Sequence, residues 1–332
     1  MPEASVLPAA EIDAATGALL ERALRLEKHA LGRLISLVEH DGDDTRSRRE
    51  ALFRRLQASA AACPDRARIV GITGTPGTGK SSLIGRVCLD LIGRDADLRI
   101  AVLAIDPTSP RSGGALLGDR VRTQFPVGER RIFFRSQATR GDLGGVGRRT
   151  FAVTRLLRHL VDLILIETVG IGQSEIDVTH LSDRTLLVMQ PLAGDHVQFM
   201  KAGIMEVPDV FVVNKCDEQA LARRSLLELR SVLDLVRPGA GQAPVRVLQT
   251  SAKTGLGIDE LAAYLAEEAS QPVDRAARIR QEAFFLRKAI AERYGRFGLE
   301  QLETVLAAHE GARWDYDAAE REALEATRAR IR

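Results

Sequence analysis

The sequence lacks the features that mark several common protein classes. Its three cysteines, Cys63, Cys88 and Cys216, follow no paired spacing. A disulfide framework is therefore not expected, and reduced thiols in a cytoplasmic protein are. No run of about 18 apolar residues occurs, so no membrane-spanning helix is expected. Lysine and arginine number 47 against 45 aspartates and glutamates, a net charge of +2. With no basic run along the chain, this balance speaks against a general nucleic-acid platform. The six histidines and three cysteines form no H-x-x-H or C-x-x-C set, so no dedicated transition-metal site is expected. The first residues carry Glu3, Glu11 and Asp13 and no early arginine, unlike a signal or transit peptide. Internal repeats and low-complexity tracts are absent as well.

What remains is a chain of 332 residues, 45% hydrophobic, with ample material for a buried core. That length holds one large domain with appendages, or two domains. Apolar residues recur at helical spacing from Ile12 to about Ala62, with a break over His40–Thr45 and a second helix over Arg46–Ala61. Cys63-Pro64-Asp65 closes this section, because proline ends helices and aspartate favours turns.

From Ala67 the pattern changes to alternating strands and helices. Strands are expected at Ala67–Thr73, Arg99–Ile105, Ile132–Arg135, Leu160–Glu167, Thr185–Gln190, Asp209–Asn214 and Val245–Thr250. Most are continuous apolar runs, which suit a parallel sheet covered on both faces. Helices are expected near 81–94, 145–159, 194–206, 217–236 and 257–269. The fold class is α/β: a mostly parallel sheet of about seven strands with helices on both faces. Pro272 marks a boundary, and the remainder is helical by pattern. The expected division is a helical extension over 1–65, a nucleotide-binding domain over 66–271 and a second helical extension over 272–332.

The stretch Gly74-Thr75-Pro76-Gly77-Thr78-Gly79-Lys80-Ser81 fits G-x-x-x-x-G-K-[ST] at every fixed position. It follows an apolar strand and precedes a helix, the context in which a glycine loop turns its backbone N–H groups onto phosphates. The helix start adds the positive end of its dipole, and Ser82 lies in that first turn. Lys80 would reach the β- and γ-phosphates, and the Ser81 hydroxyl would ligate magnesium.

Asp106 stands at the carboxyl end of the second strand, where ligand groups sit in open α/β sheets. It has two readings, a magnesium ligand or a cap on the following turn. Ser112–Arg120, with Asp119 as a second carboxylate, reads as a nucleotide-controlled switch or as an ordinary surface loop. The fourth strand ends in Glu167-Thr168-Val169-Gly170. Glu167 and Gly170 are spaced as in D-x-x-G, an acid near magnesium and a glycine N–H facing the γ-phosphate. Gln173 and Glu175 are candidates for positioning the attacking water, or parts of a solvated loop.

Asn214-Lys215-Cys216-Asp217 follows an apolar strand and fits N-K-x-D. Asp217 can accept two hydrogen bonds from guanine, from N1–H and the 2-amino group. Adenine offers neither, so the carboxylate would be left unpaired against ATP. Ser251-Ala252-Lys253 follows a further strand, where backbone N–H groups can meet guanine O6. The order of these motifs makes GTP, with GDP as product, the expected ligand.

Together Gly71–Ser81, Ala104–Ser109, Gly113–Asp119, Glu167–Glu175 and Asn214–Asp217 resemble the MeaB/MMAA (ArgK-like) P-loop GTPases over roughly residues 15–270. Arg33–Glu39 is similar to the start of that family. The resemblance implies a P-loop NTPase fold and a homodimer to which the C-terminal helices contribute. It implies a chaperone of an adenosylcobalamin-dependent acyl-CoA mutase, above all methylmalonyl-CoA mutase, with GTP hydrolysis gating cofactor delivery. It also implies Lys80 and Ser81 on phosphate and Mg2+, Asp106, Asp119 and Glu167 around the metal, and Asn214, Lys215 and Asp217 on guanine. The family's third switch is similar to Pro191–Lys201, but Leu192, His196, Phe199 and Ala202 depart from its usual pattern. Those departures bear on which client is served. A metallocentre-assembly GTPase and an ATP-dependent P-loop enzyme are the competing readings.

Overall fold

The apolar runs form a seven-stranded sheet in which every pairing is parallel. The structure is a computed structural model that describes residues 9–40, 43–59, 64–106, 125–126, 128–138, 146–168, 174–191, 208–236, 245–308 and 314–331. The strands are β1 (Arg68–Thr73), β2 (Ile100–Asp106), β3 (Ile132–Ala138), β4 (Leu163–Glu167), β5 (Arg184–Met189), β6 (Val210–Val213) and β7 (Arg246–Gln249). Their order is β3-β2-β4-β1-β5-β6-β7. β1 therefore lies between β4 and β5, and the loop that follows it opens at the centre of the sheet's carboxyl edge.

The period-two geometry of a strand explains why the central runs are largely apolar on both faces. In β1, Ile69 joins one core cluster and Val70 the other. In β4, Ile164 and Ile166 face one side while Leu163 and Leu165 face the opposite one. One face is covered by α4 (Lys80–Arg94) and α8 (Ile258–Ser270), whose Leu83, Ile84, Val87, Leu261 and Leu265 are buried. On the other face lie α5 (Arg148–Leu157), α6 (Ser174–Leu181) and the helices from both ends of the chain. The seventh helix, α7 (Gln219–Val236), closes β5 and β6 through Ala222, Leu229 and Leu233.

At the front of the chain the structure has three helices, α1 (Ala9–Leu24), α2 (Lys28–Glu39) and α3 (Asp43–Ala58), and the apolar pattern alone does not reveal the first break. Leu26 takes φ +59°, and the Leu26 N–H donates to Ala23 O at 2.9 Å, closing a turn without glycine or proline. The sequence pattern also passed over α6, whose eight residues follow directly on the Glu167–Gln173 motif. The expected helix over 194–206 lies outside the described residues.

At the C-terminal end, α9 (Arg275–Ala308) and α10 (Tyr316–Ile331) pack on α5 and α6. Gly295, at φ +61° and ψ −153°, kinks α9. The contact to the sheet is a ladder of buried ion pairs. Arg278 donates to Asp183 at 2.9 and 3.1 Å and to Ala67 O at 2.5 Å. Asp183 also accepts from the Ile69 N–H at 2.8 Å. Arg158 donates to Glu282 at 2.7 Å, and Arg155 reaches Asp317 at 2.9 Å with its guanidinium between the rings of Phe53 and Tyr316. Burial disfavours the Glu282 carboxylate, but Arg158 and Arg155 outweigh it and hold its pKa below the ordinary value. Removing one member of such a pair strands a buried charge. Asp183→Ala is therefore expected to destabilise the fold by about 3–5 kcal/mol in denaturant unfolding. A loss below roughly 1 kcal/mol, the range of exposed pairs, would show that the ladder is solvated.

Candidate nucleotide site

The phosphate-loop motif joins β1 to α4, and two of its glycines are required by close approaches. Gly74 has φ +142°, and a Cβ there would lie 2.0 Å from Val188 O of β5. Gly79 has φ +87°, and a Cβ there would lie 2.8 Å from the Asn214 side-chain amide. Both positions combine a backbone that side chains rarely adopt with no room for one.

Lys80 opens α4, yet its side chain is buried and folds back over the loop. Its Nζ donates to Gly74 O at 2.8 Å and to Thr75 O at 3.2 Å. A second contact within the loop comes from Thr78, whose hydroxyl donates to Thr75 O at 2.9 Å. The Ser81 hydroxyl donates to Glu167 Oε1 at 2.8 Å. Pro76, Gly77 and Ser82 are exposed.

Glu167 is the last residue of β4 and Asp106 the last of β2; both are buried, at 2% and 3% exposure. β2 and β4 are sheet neighbours, with Ala104 opposite Glu167, so both carboxylates belong to the same edge. Ser81, Glu167 and Asp106 form a set of hydroxyl and carboxylate oxygens, the hard donors that suit Mg2+. The residues present thus fit that ion.

Asn214 follows β6 and ties three segments together. Its amide donates to Thr78 O at 2.8 Å, while its oxygen accepts from Thr250 Oγ1 at 3.2 Å and from the Ala252 N–H at 3.3 Å. The phosphate loop, the N-K-x-D turn and the S-A-K turn are thereby fixed to one another. Asp217 accepts from the Ser251 hydroxyl, which itself accepts from the Thr254 N–H at 3.0 Å. Lys215 sits at φ +64°, and its ammonium donates to Gln190 Oε1 at 2.9 Å. Burial pushes the Cys216 thiol up, so it stays protonated between these groups and donates to Val213 O. Lys215, Asp217 and Lys253 are exposed, an open shelf beside the loop.

The model of the family described as "Methylmalonyl Co-A mutase-associated GTPase MeaB" matches residues 31–294. The chain belongs to the MeaB family. It is accordingly a guanine-nucleotide-binding GTPase. A Pyrococcus horikoshii relative named a GTPase is 36% identical over 300 residues, covering 87% of this chain and 91% of its own. A Mycobacterium tuberculosis protein, also named a GTPase, is 40% identical over 238 residues, 71% of this chain and 69% of its own. The mouse methylmalonic aciduria type A homolog, named as mitochondrial, is 40% identical over 195 residues, 58% of this chain and 46% of its own. Among solved structures, one titled LAO/AO transport system kinase superposes with a TM-score of 0.60 at 23% identity, over 94% of this chain and 97% of its own. It shares the P-loop fold.

The sequence-expected residues of this MeaB-family chain thus fall into two described groups. Gly74 to Ser82 meets Glu167 on one side, with Asp106 on the neighbouring strand, and meets Asn214 on the other. Asp217, Ser251 and Ala252 continue the second group. Asp119, Gly170, Gln173 and the segment 192–202 lie outside the described residues. Sequence reasoning missed Thr73, Thr168, Gln190 and Thr250, which hold the motif residues in place. Each stands at or just beyond the end of an apolar strand, and a polar residue there was the signal available.

Proposed function

We propose that this chain is a GTP-driven chaperone of an adenosylcobalamin-dependent acyl-CoA mutase, gating cofactor delivery and protecting the mutase. The family description, matched over residues 31–294, carries the client class. The cross-linking of Asn214 to Thr78, Thr250 and Ala252 supports a single guanine nucleotide spanning the loop and the shelf. The departures at Leu192, His196, Phe199 and Ala202 leave the client as methylmalonyl-CoA mutase or a related mutase.

In this reading the loop N–H groups and Lys80 bind the β- and γ-phosphates, and Asp217 binds the guanine edge. Ser81, Asp106, Glu167 and Asp119 would hold Mg2+, which when bound neutralises charge on the phosphate oxygens. Gly170 would donate its N–H to the γ-phosphate, and Gln173 would orient the attacking water. Catalysis of this kind is positioning plus electrostatics, so slow intrinsic turnover raised by a partner is expected. The chain would act as a homodimer, a reading consistent with the groove of α9 in which Phe284, Ala291 and Leu299 lie among Arg287, Lys288, Arg296, Glu300 and Glu303.

The test is GTP turnover by the purified chain, alone and with candidate mutases, with and without adenosylcobalamin. Stimulation of roughly tenfold or more by one mutase is expected, well within the roughly 10³–10⁵ that a charge-stabilising residue supplied by a partner can contribute at such sites. The absence of both stimulation and a complex with any cobalamin-dependent acyl-CoA mutase would overturn the reading. Light scattering on the same preparation reads the dimer, and a monomer mass at working concentration would remove that part.

A further inference from the structure

Glu167, the last residue of β4, and Thr168, the residue after it, grip the two ends of the phosphate loop. Glu167 takes the far end, accepting from Ser81 at 2.8 Å. Thr168 takes the near end. The Thr168 N–H donates to Ile72 O at 3.0 Å, and the Thr168 hydroxyl donates to the Thr73 hydroxyl at 3.0 Å. The β1–β4 ladder, whose last register pair is Ile72 with Glu167, is thus carried past the strands and finished by two side chains. Both hydroxyls are buried, Thr73 at 1% and Thr168 at 2% exposure. A polar pair kept dry at this point is costly to leave half satisfied.

We propose that the Thr73–Thr168 hydroxyl pair is a positioning latch for GTP hydrolysis. It sets the distance between the loop that begins at Gly74 and the chain that runs two residues on to Gly170. In the proposed reading the loop and Gly170 both contact the γ-phosphate, so the latch governs whether they meet it together. GDP lacks the γ-phosphate, so of these two stretches it engages only the loop. The latch therefore acts on hydrolysis and on GTP more than on GDP. This rests on reading Gly170 as a γ-phosphate contact.

The experiment uses the full chain and four variants at the pair: Thr168→Val, Thr73→Val, the double valine variant and Thr168→Ser. Valine keeps the β-branched shape and deletes the hydroxyl, whereas serine keeps the hydroxyl. Single-turnover GTP hydrolysis is expected to fall about five- to tenfold in each single valine variant, the equivalent of one buried hydrogen bond. GDP affinity is expected to change less than about twofold, a fraction of that bond. The double variant should regain the thermal stability lost in the singles, because no lone hydroxyl is left buried. Its hydrolysis should stay low, and Thr168→Ser should restore it. A purely structural pair would instead recover hydrolysis together with stability. Parent-level hydrolysis in the double variant, or an equal loss of GDP and GTP-analogue affinity in Thr168→Val, overturns the latch. Gly170→Ala distinguishes the two failures. If it hydrolyses GTP at the parent rate, the γ-phosphate reading fails and the latch with it. If it is inactive while the double valine variant is normal, only the latch fails.

Discussion

Lys80→Ala is expected to lower GTP hydrolysis by roughly two to three orders of magnitude, the loss seen when a preorganised charge-stabilising donor is removed from an active site. The ammonium is buried and already ordered, held by Gly74 O and Thr75 O at the mouth of the loop. A cation fixed in this way needs little rearrangement to meet developing charge on the β–γ bridge. Alanine removes the charge but is the best helix former, so the start of α4 survives. The two carbonyls lose one donor each, at about 1 kcal/mol apiece, a modest fraction of a domain's stability. Circular dichroism should report a folded protein, and phosphate release should report an inactive one. Arginine is not expected to rescue, because its rigid planar fork does not reproduce the compact charge and rotatable donors of the curled-back lysine. A variant that folds and still hydrolyses GTP at the parent rate would remove the loop from the chemistry.

Asp217→Asn is expected to exchange the base preference, from GTP to xanthosine triphosphate, by about two orders of magnitude or more, because a buried donor or acceptor without a partner is strongly rejected. The parent carboxylate offers two acceptor oxygens, one of which already takes the Ser251 hydroxyl. In the variant the amide oxygen can keep Ser251 while the amide NH2 turns to the base. That NH2 opposes the guanine 2-amino group but donates to the xanthine 2-oxo group. Competition binding with both triphosphates checks the exchange. Unchanged GTP preference would refute the assignment of Asp217 to the base.

These two substitutions could be chosen from the sequence, because the motifs that carry them are local. G-x-x-x-x-G-K-[ST] and N-K-x-D each lie within a single loop, where glycine geometry and hydrogen-bond chemistry restrict the residue types. The sheet was equally legible. Each of the seven expected strands is present within a few residues, because burial on both faces keeps the central strands largely apolar. Less legible was anything that depends on a distant partner. Thr73 and Thr168 are ordinary threonines until β1 and β4 pair, 95 residues apart in sequence. Thr250 acts only because β7 lies beside β6. Helix α6 is short, and the switch-like motif before it gave no boundary signal. Leu26 closes a helix–helix turn in a left-handed conformation that no turn residue announces.

The ion-pair ladder under the sheet has a consequence for how the protein is made. Pro272 looks like a seam, but Arg278 on its far side bonds back to Ala67 O, 211 positions earlier. Residues after 272 leave the ribosome after every strand of the sheet. Until they do, Asp183 lacks Arg278, Arg158 lacks Glu282 and Arg155 lacks Asp317. The strands can pair during synthesis, but one face of the sheet keeps charges whose partners have not yet been translated. These helices act as a lock turned after the sheet has been made rather than as an appendage to a finished domain. Protease sensitivity of a chain ending at 272, set against resistance of the full chain, would register that difference directly.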